Sequence, residues 1–399
     1  MQTVVLAAGE GTRMRPLTAA KPKPMLPVGG RPLLEHTLDR AADAGADKFV
    51  VVVGYEADQV RSRFGAEHKG VELDYAVQAE QRGTADAVRA AATLLDDAPF
   101  VVLNGDALYD QQSLRTLYQS GPAVGSYRVD NPSSYGVLQT DSTDHQRVTG
   151  VVEKPANPES NLINTGSYVF PAAAKELLNV DTSERGELEL TDVLEAVCNQ
   201  YEVTAIPFNR WLDVGRPWEL LAANEWLTES LATRIDGTVS DDATLSGEVV
   251  VEAGATVKAG VTIEGPVYIG QDATVGPNAY VRGSTMIGTN AKVGHAVEIK
   301  NSVLMDGATV GHLSYVGDSI LGQDVNFGAG TVVGNLRHDG EAVSMTVKGD
   351  RVSTGRRKFG VVVGDNAKTG INTSLNAGVV LGAGVTTTPG EVLARDRWE

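Results

Sequence analysis

The stretch VEAGATVKAGVTIEGPVYIGQDATVGPNAYVRGSTMIGTNAKV (251–293) decides the C-terminal architecture. Its aliphatic residues fall at every sixth position: Val251, Val257, Ile263, Ile269, Val275, Val281, Ile287 and Val293. The phase runs outward to Val239 and Leu245 on one side and to Ile299 and Met305 on the other. A period of six is neither the 3.6 of a helix nor the 2 of a lone strand, and it marks a stacked repeat. Each short strand points one branched residue into a narrow prism. Glycine then turns the corner, as after Ile269, Val275, Ile287, Val293 and Leu381. About three hexapeptides complete a coil, and each coil is stabilised by its neighbours. The register slips to Val310 and Val316, then to Leu321, Phe327 and Val333. Residues 334–360 break the repeat and are expected to loop out, and the period resumes at Val363, Thr369, Leu375, Leu381 and Thr387.

Upstream the rhythm changes. VVLAAG (4–9), KFVVVVG (48–54), ELDYAVQ (72–78), FVVLNGD (100–106) and AVGSYRV (123–129) read as strands. Helical stretches at 32–45 and 84–97 separate them. Continuously apolar strands suit a sheet covered on both faces, so residues 1–216 are expected to form a doubly wound, Rossmann-like α/β domain. Ligands should sit at the carboxyl ends of its strands. Residues 217–236 read as a linker helix and 237–399 as the repeat domain.

Composition narrows the functional classes. The chain has 399 residues with a formal net charge of −17, from 34 basic and 51 acidic side chains. Such a surface repels nucleic acid and anionic membranes. No apolar run is long enough to span a bilayer and no signal peptide is evident, so a cytoplasmic location is expected. Only 12 of the basic residues are Lys, and acidic excess with scarce Lys fits a high-salt organism. The lone Cys198 reads as a small buried apolar group rather than a nucleophile.

In so acidic a chain, a local basic cluster is informative. Leu6-Ala7-Ala8-Gly9-Glu10-Gly11-Thr12-Arg13-Met14-Arg15 leads to Lys21-Pro-Lys23. A glycine-rich turn lets backbone N–H groups approach a phosphate or a base, and four cations stand beside it. The loop lacks the Gly-Lys-Ser/Thr of a Walker A motif. LAAGEGTRMRPLT…KPKPMLPV resembles the signature of sugar-1-phosphate nucleotidyltransferases. Further matches follow in order: Gln78-Ala-Glu-Gln-Arg-Gly83-Thr84, Asn104-Gly-Asp106, Ser134-Tyr-Gly136, Val152-Glu153-Lys154-Pro, Asn164-Thr-Gly and Trp211-Leu-Asp213-Val-Gly. The resemblance implies that a sugar phosphate attacks the α-phosphorus of a nucleoside triphosphate and releases pyrophosphate. It implies that Arg13 and Lys23 neutralise the triphosphate and that Asp106 and Asp213 hold Mg²⁺. It further implies that Ala7, Ala8, Gly9, Gly11, Gln78, Gly83 and Thr84 hold the nucleotide. Gly136, Glu153, Lys154 and Asn164 would take the sugar phosphate. The nucleobase, UTP or dTTP, and the sugar stay open.

The repeat domain resembles the left-handed parallel β-helix of hexapeptide-repeat acyltransferases. Arg282, Lys300, Gly311-His312-Leu-Ser-Tyr315, Asn326 and Gly334-Asn335 resemble the acetyltransferase half of the bifunctional N-acetylglucosamine-1-phosphate uridylyltransferases. The resemblance implies acetyl-CoA as co-substrate, His312 as base toward a sugar amine, and Arg282, Lys300, Tyr315, Asn326 and Asn335 as substrate-binding groups. It implies a homotrimer or a multiple of one. After Asn335 the chain departs from the bacterial pattern. Glu341 stands where a lysine is expected, and the altered loop looks like archaeal versions of the enzyme. Two other readings stand beside the bifunctional one. In the first, a monofunctional glucose-1-phosphate thymidylyl- or uridylyltransferase uses its β-helix for oligomerisation or regulation. In the second, the chain is a non-enzymatic relative.

Overall fold

A computed structural model describes residues 1–183 and 185–399. The chain divides into two compact units. The first comprises 1–10, 22–25 and 33–213; the second comprises 11–21, 26–32 and 214–399.

The first unit is built on one ten-stranded sheet. Its order is Gly136–Thr140, Arg147–Glu153, Val203–Pro207, Ala123–Arg128, Leu162–Phe170, Phe100–Asn104, Gln2–Ala7, Lys48–Val53, Val71–Val77 and Glu67–His68. Gln2–Ala7 runs parallel to both Lys48–Val53 and Phe100–Asn104, which forms the Rossmann-like half. The other half is mixed, because Leu162–Phe170 pairs antiparallel with both of its neighbours. The run of valines is explained by burial on both faces. Val50, Val52 and Val102 enter one core, whereas Val51, Val53 and Val101 enter the other. Helices Leu33–Ala44 and Thr84–Ala91 carry apolar faces onto these cores.

The second unit is a left-handed parallel β-helix of three sheets with eight, seven and eight strands. In its early coils, residues 18 apart stack, as Val281 on Ile263 and Ile299 on Val281. The inward residue after Ile299 is Leu304, not Met305, because Ile287 pairs with Leu304 at a spacing of 17. Coils of 17 continue through Val310 and Phe327. Met305 is buried but outside the prism core. Phe327 then pairs with Thr369 across 42 residues, so the irregular stretch leaves the prism. It forms a hairpin of Ser344–Val347 with Asp350–Ser353. Threonines are tolerated at inward positions 369 and 387 because their hydroxyls are paired, with Thr331 and Thr373 respectively, at 2.8 Å.

The expected linker helix is shorter than the sequence reading. It spans Pro217–Thr228 with Pro at its first turn, and Arg234–Ile235 already pairs with Val250–Val251 as the first strand of the prism. That helix is apolar on nearly every side, and Asn224 accepts a 3.0 Å bond from the Gly29 N–H. Phe327, 1% exposed, is the largest side chain in the prism core. Phe327→Ala is expected to lower the stability of the β-helix by about 3–5 kcal/mol. Its urea midpoint, followed by circular dichroism, measures this.

Candidate functional sites

In the first unit, candidate residues gather at the strand ends. Ala7 ends the first strand and Asn104 ends the strand beside it, so 7–9 and 104–106 emerge together. A Cβ added at Gly9 would meet nothing within 4 Å, so open space lies beside this turn. Lys23, 8% exposed, forms an ion pair with Asp106. The short strands Ala107–Tyr109 and Trp211–Asp213 pair antiparallel, with Asp213 opposite Ala107. Asp106 and Asp213 therefore share one neighbourhood. Both charges act on the Tyr109 phenol, whose pKa is raised well above the ordinary value by burial first, then by Asp106 and, less strongly, by Asp213. Two hard carboxylates are the oxygen donors that Mg²⁺ takes. Among the described residues no cluster of three or more His, Cys, Asp or Glu could hold a metal, so a cation here would need substrate oxygens as well.

Gln78 is 7% exposed. Its Nε2 donates to the Gly83 carbonyl and to Asp86 Oδ2, each at 3.0 Å. The Oε1 is thereby fixed as an acceptor. Gly83 has φ of +122°, and an added Cβ would stand 2.4 Å from the Leu188 carbonyl oxygen. Thr84 Oγ1 accepts from the Leu190 N–H at 2.9 Å, which ties the 78–84 turn to the 188–190 segment. Gly83→Ala is expected to destabilise this turn by about 1–3 kcal/mol, because the new methyl meets backbone at a strained φ. A raised KM for the nucleotide at little changed fold content is the expected readout.

Gly136 and Glu153 are partners in one ladder. Glu153 Oε1 lies 3.1 Å from both Lys154 Nζ and an Arg185 nitrogen. Asn164, 8% exposed, donates to the Tyr168 hydroxyl and accepts from the Gly166 N–H at 2.7 Å. Sequence reasoning missed Asp86, Arg185, Glu189 and Thr191. At the edge of this subsite Thr191 carries a buried hydroxyl oxygen without a hydrogen bond, and Glu189 Oε1 lies 3.1 Å from an Arg185 nitrogen. A Cβ on Gly136 would meet Thr191 Cγ2 at 3.1 Å. Burial, and next the neighbouring Glu153, raise the pKa of the Glu189 carboxyl. The readable signal was the placing of Glu189 and Thr191 between Leu188, Leu190 and Val193.

Gly11 and Arg13 fall in the second unit. Gly11 is left-handed, with φ of +64°, and its carbonyl accepts from Thr18 Oγ1 at 2.8 Å. Arg13 is exposed.

On the β-helix, Arg282, Lys300 and Gly317 stack in one column of one sheet, with Glu298 and Tyr315 stacked beside them. Neither cation is free. Arg282 donates to Glu298 at 2.7 and 3.1 Å, and Lys300 Nζ lies 2.8 and 3.0 Å from Asp318. Asn335 Nδ2 donates to Asp318 at 2.6 Å and to the Tyr315 hydroxyl at 3.1 Å. Burial raises the Tyr315 phenol pKa, so it stays protonated. Asn326 is exposed on a strand of a different sheet, and the single chain does not bring it to Arg282, Lys300 and Tyr315. His312 is exposed at the corner between these two sheets. Its Nδ1 accepts from the His295 N–H at 3.3 Å, so the neutral ring carries its proton on Nε2. Arg356 is paired with Glu225. Asp318, 2% exposed, is the central group that sequence reasoning passed over.

The fold and the first site define a nucleotidyltransferase fused to a β-helix. The family model for nucleotidyl transferases matches residues 2–230, and the model for the GMPPB C-terminal domain matches 263–396. The bifunctional protein GlmU of Methanococcus vannielii is 41% identical over 96% of this chain and 92% of its own length. A bifunctional sugar-1-phosphate nucleotidylyltransferase/acetyltransferase of Sulfurisphaera tokodaii is 37% identical over 99% of this chain and 98% of its own. The chain belongs to this family of bifunctional nucleotidyltransferase–acetyltransferases. A solved UDP-glucose pyrophosphorylase in complex with UDP-glucose superposes with a TM-score of 0.52 at 23% identity. It covers 57% of this chain and 98% of that one, a likeness of fold.

Proposed function

We propose that this enzyme acetylates glucosamine 1-phosphate from acetyl-CoA and joins the product to a uridylyl group from UTP, releasing pyrophosphate. The observation that carries the reading is the coexistence, in one chain, of the Lys23–Asp106–Asp213 constellation and the Arg282–Lys300–Tyr315–Asn335 cluster.

In the first reaction site, both reactants are polyanions, and their repulsion must be screened. Lys23 neutralises triphosphate charge. Asp106 and Asp213 would hold Mg²⁺, which supplies further screening of the phosphate oxygens when bound. The sugar phosphate oxygen forms the new bond to the α-phosphorus as the bond to pyrophosphate breaks. Gln78, with Oε1 as acceptor, suits the imide N–H of uracil or thymine. The backbone of Ala7, Ala8 and Gly9, with Gly83 and Thr84, shapes the nucleotide pocket. Gly136, Glu153, Lys154 and Asn164 border the sugar phosphate.

In the second, the amine nitrogen attacks the thioester carbonyl, and CoA leaves as a thiol. His312 takes the amine proton at Nδ1, a step that displaces the long His295 contact. Arg282 and Lys300 meet the sugar phosphate, while Tyr315, Asn326 and Asn335 orient the sugar. Because Asn326 lies on another sheet, a site completed by a second copy supports a homotrimer or a multiple of one. Light scattering should give three times the chain mass or a multiple. No helix among the described residues is long and apolar enough to cross a membrane, and we place the protein in the cytoplasm with its soluble substrates. The acidic surface supports a halophilic archaeal source, with activity persisting in molar KCl.

The test is a panel of nucleoside triphosphates against sugar 1-phosphates, with pyrophosphate and CoA measured separately. Pyrophosphate release should be greatest with UTP and N-acetylglucosamine 1-phosphate, vanish with EDTA and return with Mg²⁺. CoA release should need glucosamine 1-phosphate and survive EDTA. Absence of CoA release with every amino-sugar phosphate would remove the acetyl-transfer half.

A further inference from the structure

Asp318 is an acid almost wholly removed from solvent, at 2% exposure, yet it lies under a substrate face. Its backbone is locked on both sides. Its N–H donates to the Lys300 carbonyl at 2.8 Å, and its own carbonyl accepts from the Gly360 N–H at 2.8 Å. Its carboxylate collects donors from three residues. Lys300 Nζ lies 3.0 Å from Oδ1 and 2.8 Å from Oδ2, Asn301 Nδ2 is 3.0 Å from Oδ1, and Asn335 Nδ2 is 2.6 Å from Oδ2. A carboxylate has about four lone-pair sites, and all are used here. Other acidic corner residues of the prism that share its left-handed backbone, Asp272 and Asp324, are exposed and gather no such set.

The donors matter because of what they leave pointing outward. Asn335 has its amide nitrogen held by Asp318 and by the Tyr315 hydroxyl, so its Oδ1 is presented as an acceptor. Tyr315, accepting from Asn335, keeps its O–H to donate. Lys300 is drawn to one position although its side chain is 17% exposed. Asn301 links the same carboxylate to Glu225, which in turn holds Arg356 of the inserted segment. One buried charge therefore sets the direction of three groups on the face.

We propose that Asp318 is the positioning residue of the acetyl-transfer site: it orients Asn335, and through it Tyr315, and holds Lys300, without itself touching substrate. The inference rests on the acetyl-transfer reading above and assigns the group that pre-arranges it. An isosteric Asp318→Asn change brings an NH₂ where donors already converge, so the Asn335 amide loses its reason to face one way.

The experiment uses the full-length enzyme, acetyl-CoA and glucosamine 1-phosphate, with wild type, D318N, K300M and the double variant. Wild-type CoA release comes first; its absence would sink the underlying reading and not this inference. Given that activity, D318N should lose at least about tenfold in kcat/KM for glucosamine 1-phosphate, with the KM for acetyl-CoA and UTP-dependent pyrophosphate release within about twofold of wild type. K300M should cost much less in the D318N background than alone, because the two act as a unit. D318N activity within about threefold of wild type overturns the proposal, as does simple additivity of the two changes. Loss of pyrophosphate release together with acetylation also overturns it, because it would identify Asp318 as an anchor of the fold.

Discussion

Asp106→Asn is expected to lower pyrophosphate release about a hundred- to a thousand-fold while leaving CoA release unchanged. Asn keeps the volume of Asp and one oxygen, so the strand end should hold its shape. The charge is what disappears. The carboxylate paired with the buried Lys23 ammonium is lost, and taking one partner from a buried ion pair is costly. The same change removes one of two carboxylates that act jointly on Tyr109 and would hold the divalent ion. A thousand-fold loss corresponds to about 4 kcal/mol of transition-state stabilisation. The variant should also need more Mg²⁺ for half-maximal rate, which a plain packing defect would not produce. Steady-state pyrophosphate assays across a Mg²⁺ titration measure both effects.

His312→Ala carries the second large effect, in the opposite half. Loss of a general base typically costs about 10²–10⁴ in rate, and CoA release should fall within that range. His312 is exposed, and its ring accepts a long 3.3 Å bond from the His295 N–H. Its removal should therefore change stability by no more than about 0.5 kcal/mol. Pyrophosphate release from N-acetylglucosamine 1-phosphate should be unaffected. Raising the pH should partly restore acetylation in the variant, because more of the amine then loses its proton without help. Initial CoA-release rates across the pH range test this.

The legible parts of the structure were those with a simple period. Sixth-position aliphatics from Val239 to Ile299 fall inward as read, because a prism needs one apolar residue per face. The one-residue slip after Ile299 was hidden because Val303, Leu304 and Met305 are all apolar, and only strand pairing chooses among them. The parallel half of the first sheet was legible from uninterrupted valines. Strands Gly136–Thr140, Arg147–Glu153, Leu162–Phe170 and Val203–Pro207 were not individually legible, since polar positions and loops dilute their pattern. Candidate residues were readable where a motif names them, as with Asp106 and Lys23. Their partners were not. Glu298 reaches Arg282 from 16 residues away and Asp318 reaches Lys300 from 18, separations set by the length of a coil rather than by any local signal.

Two independent chemistries in one chain can be separated by mixing variants. Asp106→Asn and His312→Ala proteins are each incubated with glucosamine 1-phosphate, acetyl-CoA, UTP and Mg²⁺, singly and together, and UDP-N-acetylglucosamine is quantified. Little nucleotide sugar is expected from either variant alone and ready formation from the mixture, since the acetylated intermediate made by one diffuses to the other. No product from the mixture, under conditions where wild type forms it, would rule out two separable activities.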